Sequence, residues 1–489
     1  MSRTFTWSPQ QEAIFDWFAT PHADGSNKNL VVTARAGTGK TTTICEGINR
    51  APEQRIILTA FNKKIADELQ KKLANPAGRA TTLHSLGFGC VVKFWERIRV
   101  EEKRGLRADA LTARVCGATA PDAIKRLVSQ LHSKAREMAP HASAPGDLAD
   151  IMEQFSLIPD AEWFAAGFDD VYVEKKALDA MQLAAEVKPV DTGIDFADMI
   201  YLPVRNRWLI PSADLVVVDE AQDMTLAQLE IAQGICKGRI CVVGDDRQAI
   251  YSFRGADSQA LARLKKELQA QELGLTITRR CPKSVVALAA ELVPDFEAAD
   301  EAPEGEILRI VEDKLVAMAG PGDFVLSRLN APLVSHAMKL LRAGKRTCIA
   351  GRDVGAGLKA LVRKIKGKSV PDFLSKVAAW QEREVARLKS AKKEDRIEGI
   401  NDQAEMLVSL SDGAKNVDEI TARIDALFTD DGLGALGMIT CSSVHRSKGL
   451  EAERVFVLEH TLRDDSLEEQ NIRYVAITRT KRVLIWVTP

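Results

Sequence analysis

Five consecutive residues, Gly37-Thr38-Gly39-Lys40-Thr41, carry the first recognisable chemistry in this chain. They follow Val31-Val32-Thr33-Ala34 and precede Thr42-Thr43, so the pattern reads as strand, glycine loop and helix start. Gly37 and Gly39 permit a turn tight enough for successive N–H groups to face phosphate oxygens. Lys40 can then reach the β- and γ-phosphates of a nucleotide, and the Thr41 hydroxyl can ligate Mg²⁺ at the positive end of the helix. Ala34 stands where the strict phosphate-loop pattern has glycine.

Further groups sit where strands should end. Leu215-Val216-Val217-Val218 runs into Asp219-Glu220-Ala221-Gln222-Asp223, an apolar strand with carboxylates at its carboxyl end, the end at which parallel α/β sheets bind ligands. Asp219 is suited to hold Mg²⁺ through water, and Glu220 to orient or deprotonate an attacking water. Ile240-Cys241-Val242-Val243 leads to Gly244-Asp245-Asp246-Arg247-Gln248, which places Gln248 to sense a γ-phosphate. Tyr251 and Phe253, two residues apart and followed by Arg254, can present rings on one face for base stacking. Arg279 and Arg280 follow a strand ending at Thr278.

Three weaker signals accompany these. Phe61, Asn62 and Lys63 follow a buried strand at 55–60, and an aromatic beside lysines suits a base stacked above a tracked backbone. Residues 80–89 are expected to form a short strand ending in Thr82, His84 and Ser85, which could bind phosphate oxygens. Gln10 or Gln11, in a helix entered through Ser8 and Pro9, could hold adenine by its amide. Taken alone, each of the three also reads as ordinary turn or surface chemistry.

The elements that must position these groups belong to a chain of 489 residues, enough for roughly two to four domains. Its hydrophobic content of 46% and charged content of 28% are those of a globular protein, and the net charge of −1 leaves any polyanion contact to local basic residues. The eight cysteines lack Cys-x-x-Cys spacing and are expected to be reduced and mostly buried, with neither zinc nor disulfides. No apolar run approaches membrane length. Residues 86–185 read as mainly helical, with a Pro-rich break at 139–145 and a solvated charged face at 93–109. A second α/β unit begins at Phe324. Residues 346–436 read as a helical insert with segregated charge: positions 363–396 hold eleven basic and five acidic residues, whereas 398–431 hold nine acidic and two basic. A helix is expected over 468–481 and a final strand over 483–487.

Together these segments resemble superfamily 1 DNA helicases of the UvrD/Rep type, whose own phosphate loop is Ala-x-x-Gly-x-Gly-Lys-Thr, as here. Matches run in family order through Gln10, 37–41, 61–63, 82–85, Asp195-Phe196-Ala197-Asp198, 219–223, 244–256, Arg280, 445–451 and 474–479. The stretches around Phe61 and Asp219 are also similar to the eukaryotic F-box DNA helicases, although no F-box is expected ahead of a first motif so near Met1.

The resemblance implies an α/β fold of two RecA-like P-loop motor domains with parallel sheets, each carrying a mainly helical insert. The boundaries are 1–85 with 186–275 for the first motor domain and 86–185 for its insert. The second motor domain takes 276–345 with 437–489, and its insert 346–436. It further implies ATP and Mg²⁺ as cofactors. Gln10 would read adenine, with Arg279 stacked on it where the family commonly has an aromatic. Ala34, Arg35, Ala36, Gly37, Thr38, Gly39, Lys40, Thr41 and Thr42 would form the phosphate site, with Glu451 also on the nucleotide. Thr41 and Asp219 would hold the metal. Lys40, Asp219, Glu220, Gln248 and two arginine fingers, Arg280 and Arg479, would carry catalysis. Phe61, Asn62, Lys63, Thr82, His84, Tyr251, Phe253, Arg254 and His445 would face DNA. The implied activity is 3′→5′ movement on single-stranded DNA and at single-strand/duplex junctions, in repair, recombination or replication. The alternative is a translocase that strips bound proteins without opening duplex. A cytoplasmic monomer is expected, nucleoid-associated in a bacterium or in the host cytoplasm for a virus, with no membrane partner.

Overall fold

Long runs of Val, Ile and Leu without polar alternation demand strands covered on both faces, and parallel sheets meet that demand. The computed structural model describes residues 6–20, 29–60, 62–103, 105–155, 157, 159, 163–164, 166–250, 260–390, 397–429 and 437–489. They fall into two units, one formed mainly by residues up to Leu275 and the other mainly by the chain from Thr276 onwards.

The first unit holds β1 (Leu30–Ala34), β2 (Ile56–Ala60), β3 (Gly78–Thr82), β4 (Ala213–Val218), β5 (Cys236–Gly244) and β6 (Gln271–Leu275). They make one parallel sheet in the order β3-β2-β4-β5-β1-β6. This order sets the carboxyl ends of β4, β5 and β1 side by side, which brings residues 219–220, 245–248 and 35–41 to one edge. Helix Pro9–Ala19 starts as expected: Ser8 caps it, Gln11 completes the capping box, and Ile14, Phe15, Trp17 and Phe18 are buried.

Between β3 and β4 the described elements, from Leu83 to Arg205, are separate helices, with one of the breaks after Met138. Ala177, Ala180 and Ala184 on helix Asp170–Glu186 recur at helical spacing and are fully buried against Leu111, Val128 and Leu131. One expected surface charge is a core residue. Arg107 is buried and pairs with Asp198 at 2.9 Å, so the 93–109 segment is not solvated throughout.

The second unit holds β7 (Ile277–Thr278) paired with β8 (Glu297–Ala298), and a seven-stranded parallel sheet. The latter contains β9 (Glu306–Val311), β10 (Phe324–Ser327), β11 (Thr347–Ala350), β12 (Phe428–Thr429), β13 (Ile439–Ser443), β14 (Ala452–Leu458) and β15 (Thr480–Thr488). Their order is β12-β11-β13-β10-β14-β15-β9. Two expectations are corrected here. The segment from 346 opens with β11, a strand of this sheet, and closes with β12. Its helices share one core with the sheet, Phe373, Trp380, Leu407 and Leu410 packing in the same cluster as Leu333, Ile349 and Phe456. The helix expected over 468–481 is Leu467–Ile477, because β15 already starts at Thr480 to pair with β14.

None of the eight cysteines is in a disulfide, and seven of them are buried. Among the described residues no helix is long and apolar enough to cross a membrane.

Candidate nucleotide site and nucleic-acid-facing residues

The glycine loop leaves β1 and ends at helix Lys40–Arg50. Gly37 (φ +70°) and Gly39 (φ +80°) occupy the left-handed region, which is the reason for glycine at both. Gly39 offers no side-chain cap, so the first-turn N–H groups stay available to an anion. Thr43 ties the turn down: its N–H and its hydroxyl both donate to Gly39 O, at 2.9 and 3.1 Å. Thr41 is half-buried in the first turn of this helix, directly after Lys40.

Lys40 Nζ lies 2.8 Å from Glu220 Oε1. Burial pulls the Lys40 ammonium down, but the carboxylates of Glu220, Asp219 and Asp245 outweigh it and hold the group above its usual range. Asp219 is 6% exposed at the end of β4, and burial beside Glu220 pushes its carboxyl up from 3.8 to about 7. Glu220 adopts φ +53°, a left-handed conformation that costs a non-glycine residue about 1–3 kcal/mol. Its N–H donates to Asp219 Oδ1 at 2.9 Å. The buried Asp219 and the half-buried Glu220 set two carboxylates side by side, an arrangement that a cation stabilises. Among the described residues no group of three or more His, Cys, Asp or Glu could hold a metal. One carboxylate and one hydroxyl, completed by substrate phosphates and water, is how Mg²⁺ is usually taken, and Asp219 with Thr41 fits that pattern.

At the end of β5, Gln248 donates Nε2–H to Asp245 Oδ2 at 2.7 Å. Asp245 also accepts from Arg35 Nη1 at 3.0 Å, and Asp246 does so at 2.5 Å. The Arg35 side chain, expected among the phosphate ligands, is thus committed to two aspartates. Burial raises the Asp245 carboxyl, against the pull of Arg35 and Lys40. Gln10 is half-buried. Gln11 is spent on structure: Oε1 accepts the Ser8 N–H and Nε2 donates to Thr43 Oγ1 at 2.9 Å.

Because β2 and β3 are neighbours, Asn62 and Lys63 lie at the same sheet end as Thr82 and His84. Two of these side chains cap helices. Asn62 Oδ1 accepts from Ile65 N at 2.9 Å, and Thr82 Oγ1 from Ser85 N at 3.1 Å. The strand expected through residue 89 ends at Thr82; His84 and Ser85 sit in the first turn of helix Leu83–Phe94. The His84 ring meets the exposed Phe196 edge-on at 5.7 Å, and burial lowers its pKa. Lys63 is exposed. Phe61, Tyr251, Phe253 and Arg254 lie outside the described residues.

In the second unit, Arg280 Nε pairs with Glu451 Oε2 at 2.6 Å, and Lys481 holds the other Glu451 oxygen at 2.6 Å. Arg479 is 1% exposed. It donates to the carbonyls of Val475 (3.0 Å) and Leu450 (3.3 Å). Burial and the neighbouring Arg280 bring it down to about 10. Arg279 is exposed, and His445 is half-buried in the turn after β13. Sequence reasoning passed over Asp245, Gln222 and Lys481, although Asp245 had a signal in its place directly after a buried strand.

A parallel α/β sheet with a glycine loop, its lysine against a strand-end Asp-Glu pair, defines a P-loop nucleotide-binding protein. The UvrD/REP helicase N-terminal domain matches residues 19–269, and the UvrD-like helicase C-terminal domain matches 438–487. The chain belongs to the UvrD/Rep helicase family, and its two parallel sheets are the RecA-like pair of that family. It is 24% identical to F-box DNA helicase protein 1 of Schizosaccharomyces pombe over 93% of this chain and 55% of that protein. It is 28% identical to the ATP-dependent DNA helicase Rep of Escherichia coli over 49% of this chain and 37% of Rep. Identity to the ATP-dependent DNA helicase PcrA of Bacillus subtilis is 23%, over 54% of this chain and 37% of PcrA. The chain therefore spans 55% or less of the length of these relatives.

Proposed function

We propose that this chain is an ATP-dependent DNA helicase or translocase that moves 3′→5′ on single-stranded DNA. The observation that carries the reading is the Lys40–Glu220 contact of 2.8 Å beside the buried Asp219, at the joint carboxyl ends of three parallel strands. Lys40 and the loop N–H groups bind the triphosphate, and Glu220 orients the attacking water. Mg²⁺, held by Thr41 and Asp219, would offset phosphate charge. Arg280 and Arg479 supply cations for the transition state, a role whose loss costs about 10³-fold or more in turnover. Asn62, Lys63, Thr82, His84 and His445 face the DNA strand. Phe61, Tyr251, Phe253 and Arg254 are assigned to it from sequence. The names of the relatives support DNA as the polymer. Repair, recombination or replication in the cytoplasm or nucleoid is the proposed setting.

ATPase activity with and without single-stranded DNA tests the motor, and duplexes with 3′ or 5′ tails test its direction. Wild-type protein should show DNA-stimulated hydrolysis and unwind 3′-tailed duplex, and Lys40→Ala should abolish both. Hydrolysis indifferent to DNA overturns the polymer assignment, and a preference for 5′ tails overturns the polarity.

A further inference from the structure

The carboxyl ends of β4 and β5 are joined by one buried side chain. Gln222 is 1% exposed, and both ends of its amide are engaged by different strand ends. Its Nε2 donates to Glu220 Oε2 at 2.6 Å, and its Oε1 accepts the Asp245 N–H at 3.1 Å. Gly244 is what leaves room for this. A Cβ at that position would lie 2.5 Å from Gln222 Oε1, a separation at which something must shift.

The contacts on either side extend the connection. Glu220 Oε1 meets Lys40, and the Asp245 carboxylate takes the Gln248 amide and the Arg35 guanidinium. An unbroken series runs from Lys40 through Glu220, Gln222 and Asp245 to Gln248, and Arg35 returns it to the glycine loop. Lys40 has a second calling, the phosphates, and when it turns to them Glu220 keeps Gln222 as a fixed donor. An amide that holds one carboxylate oxygen fixes the direction in which the other can meet a proton of water. Only an amide of this reach offers a donor to Glu220 and an acceptor to Asp245 together.

We propose that Gln222 is a positioning residue for ATP hydrolysis, aiming Glu220 and tying its aim to the turn that carries Gln248. The inference rests on the hydrolase reading above. It makes the rate of the chemical step, rather than nucleotide affinity, the quantity that responds to the end of β5.

Steady-state ATPase with single-stranded DNA tests it on wild type, Gln222→Met, Gln222→Glu and Gly244→Ala. Gln222→Met should lose about 10- to 100-fold in kcat, the scale of a 1 Å misplacement, with the KM for ATP within about threefold of wild type. Gln222→Glu should lose at least as much, because it sets a second carboxylate against Glu220. Gly244→Ala should show the same split although Gln222 is intact. A Gln222→Met protein with kcat within about twofold of wild type overturns the inference alone. So does a loss in which kcat falls, KM rises and the melting temperature drops together, the pattern of a damaged fold. A wild type that hydrolyses no ATP overturns the motor reading and this inference with it.

Discussion

Asp219 shows at the scale of one residue what the site costs the fold. Its folded-state pKa of about 7 against an ordinary 3.8 means that the native protein keeps a proton which the unfolded chain has released. Stability contributed by this group therefore falls as pH rises between those two values, and stays reduced above them. Asp219→Asn removes the charge that burial penalises. Its melting temperature should exceed that of wild type at pH 8, with the gap narrowing at pH 5, while ATPase activity is lost. Thermal melts at the two pH values check this, and an Asn variant less stable than wild type at pH 8 would refute it. The placement of these residues was readable in the chain: the segments that carry Lys40, Asp219, Glu220 and Gln248 all follow strands along one edge of the sheet. The roles of Asn62, Thr82 and Gln11 were not. A small polar residue before an apolar run reads equally as a strand end or a helix cap, and the choice depends on an N–H three residues later. Gln11 and Gln10 differ only in which side of one helix turn faces Thr43.

The helices between β3 and β4 are held by charge as well as by apolar packing. Arg136, wholly buried, takes both oxygens of Asp195 at 2.9 and 2.7 Å and Asp198 Oδ1 at 2.6 Å, and Arg107 takes Asp198 Oδ2. Asp195 also caps helix Phe196–Arg205. The Asp-Phe-Ala-Asp stretch thus locks helices Leu106–Cys116 and Asp122–Met138 onto helix Phe196–Arg205. Arg136→Met leaves two carboxylates under one remaining guanidinium and should cost about 3–5 kcal/mol in denaturant unfolding. A loss below about 1 kcal/mol would show that the pairing is dispensable. The two aspartates were visible in the sequence as a motif, but their partners stand 59 or more residues away along the chain. Strands β11 and β12 were hidden for another reason. Four and two residues between helices give too short a run for a period-two signal.

At the scale of the whole molecule, each unit has its own parallel sheet and its own buried clusters. Calorimetry should give a measured unfolding enthalpy larger than the van't Hoff value, and Arg136→Met should move one transition only. A single transition with matching enthalpies would contradict that. The alternation of apolar runs with helices made both sheets legible in the sequence, whereas strand order was not, since neighbours such as β1 and β6 are far apart along the chain. That last pairing has a mechanical side. β6 is the final strand of its unit, it lies parallel to β1 over five registered positions from Leu30↔Gln271 to Ala34↔Leu275, and Arg35 N–H donates to Leu275 O at 2.8 Å. A pull on Leu275 directed along β6 would load this ladder in shear, with its rungs sharing the load. β1, the strand that carries the glycine loop, is the direct partner that would share it.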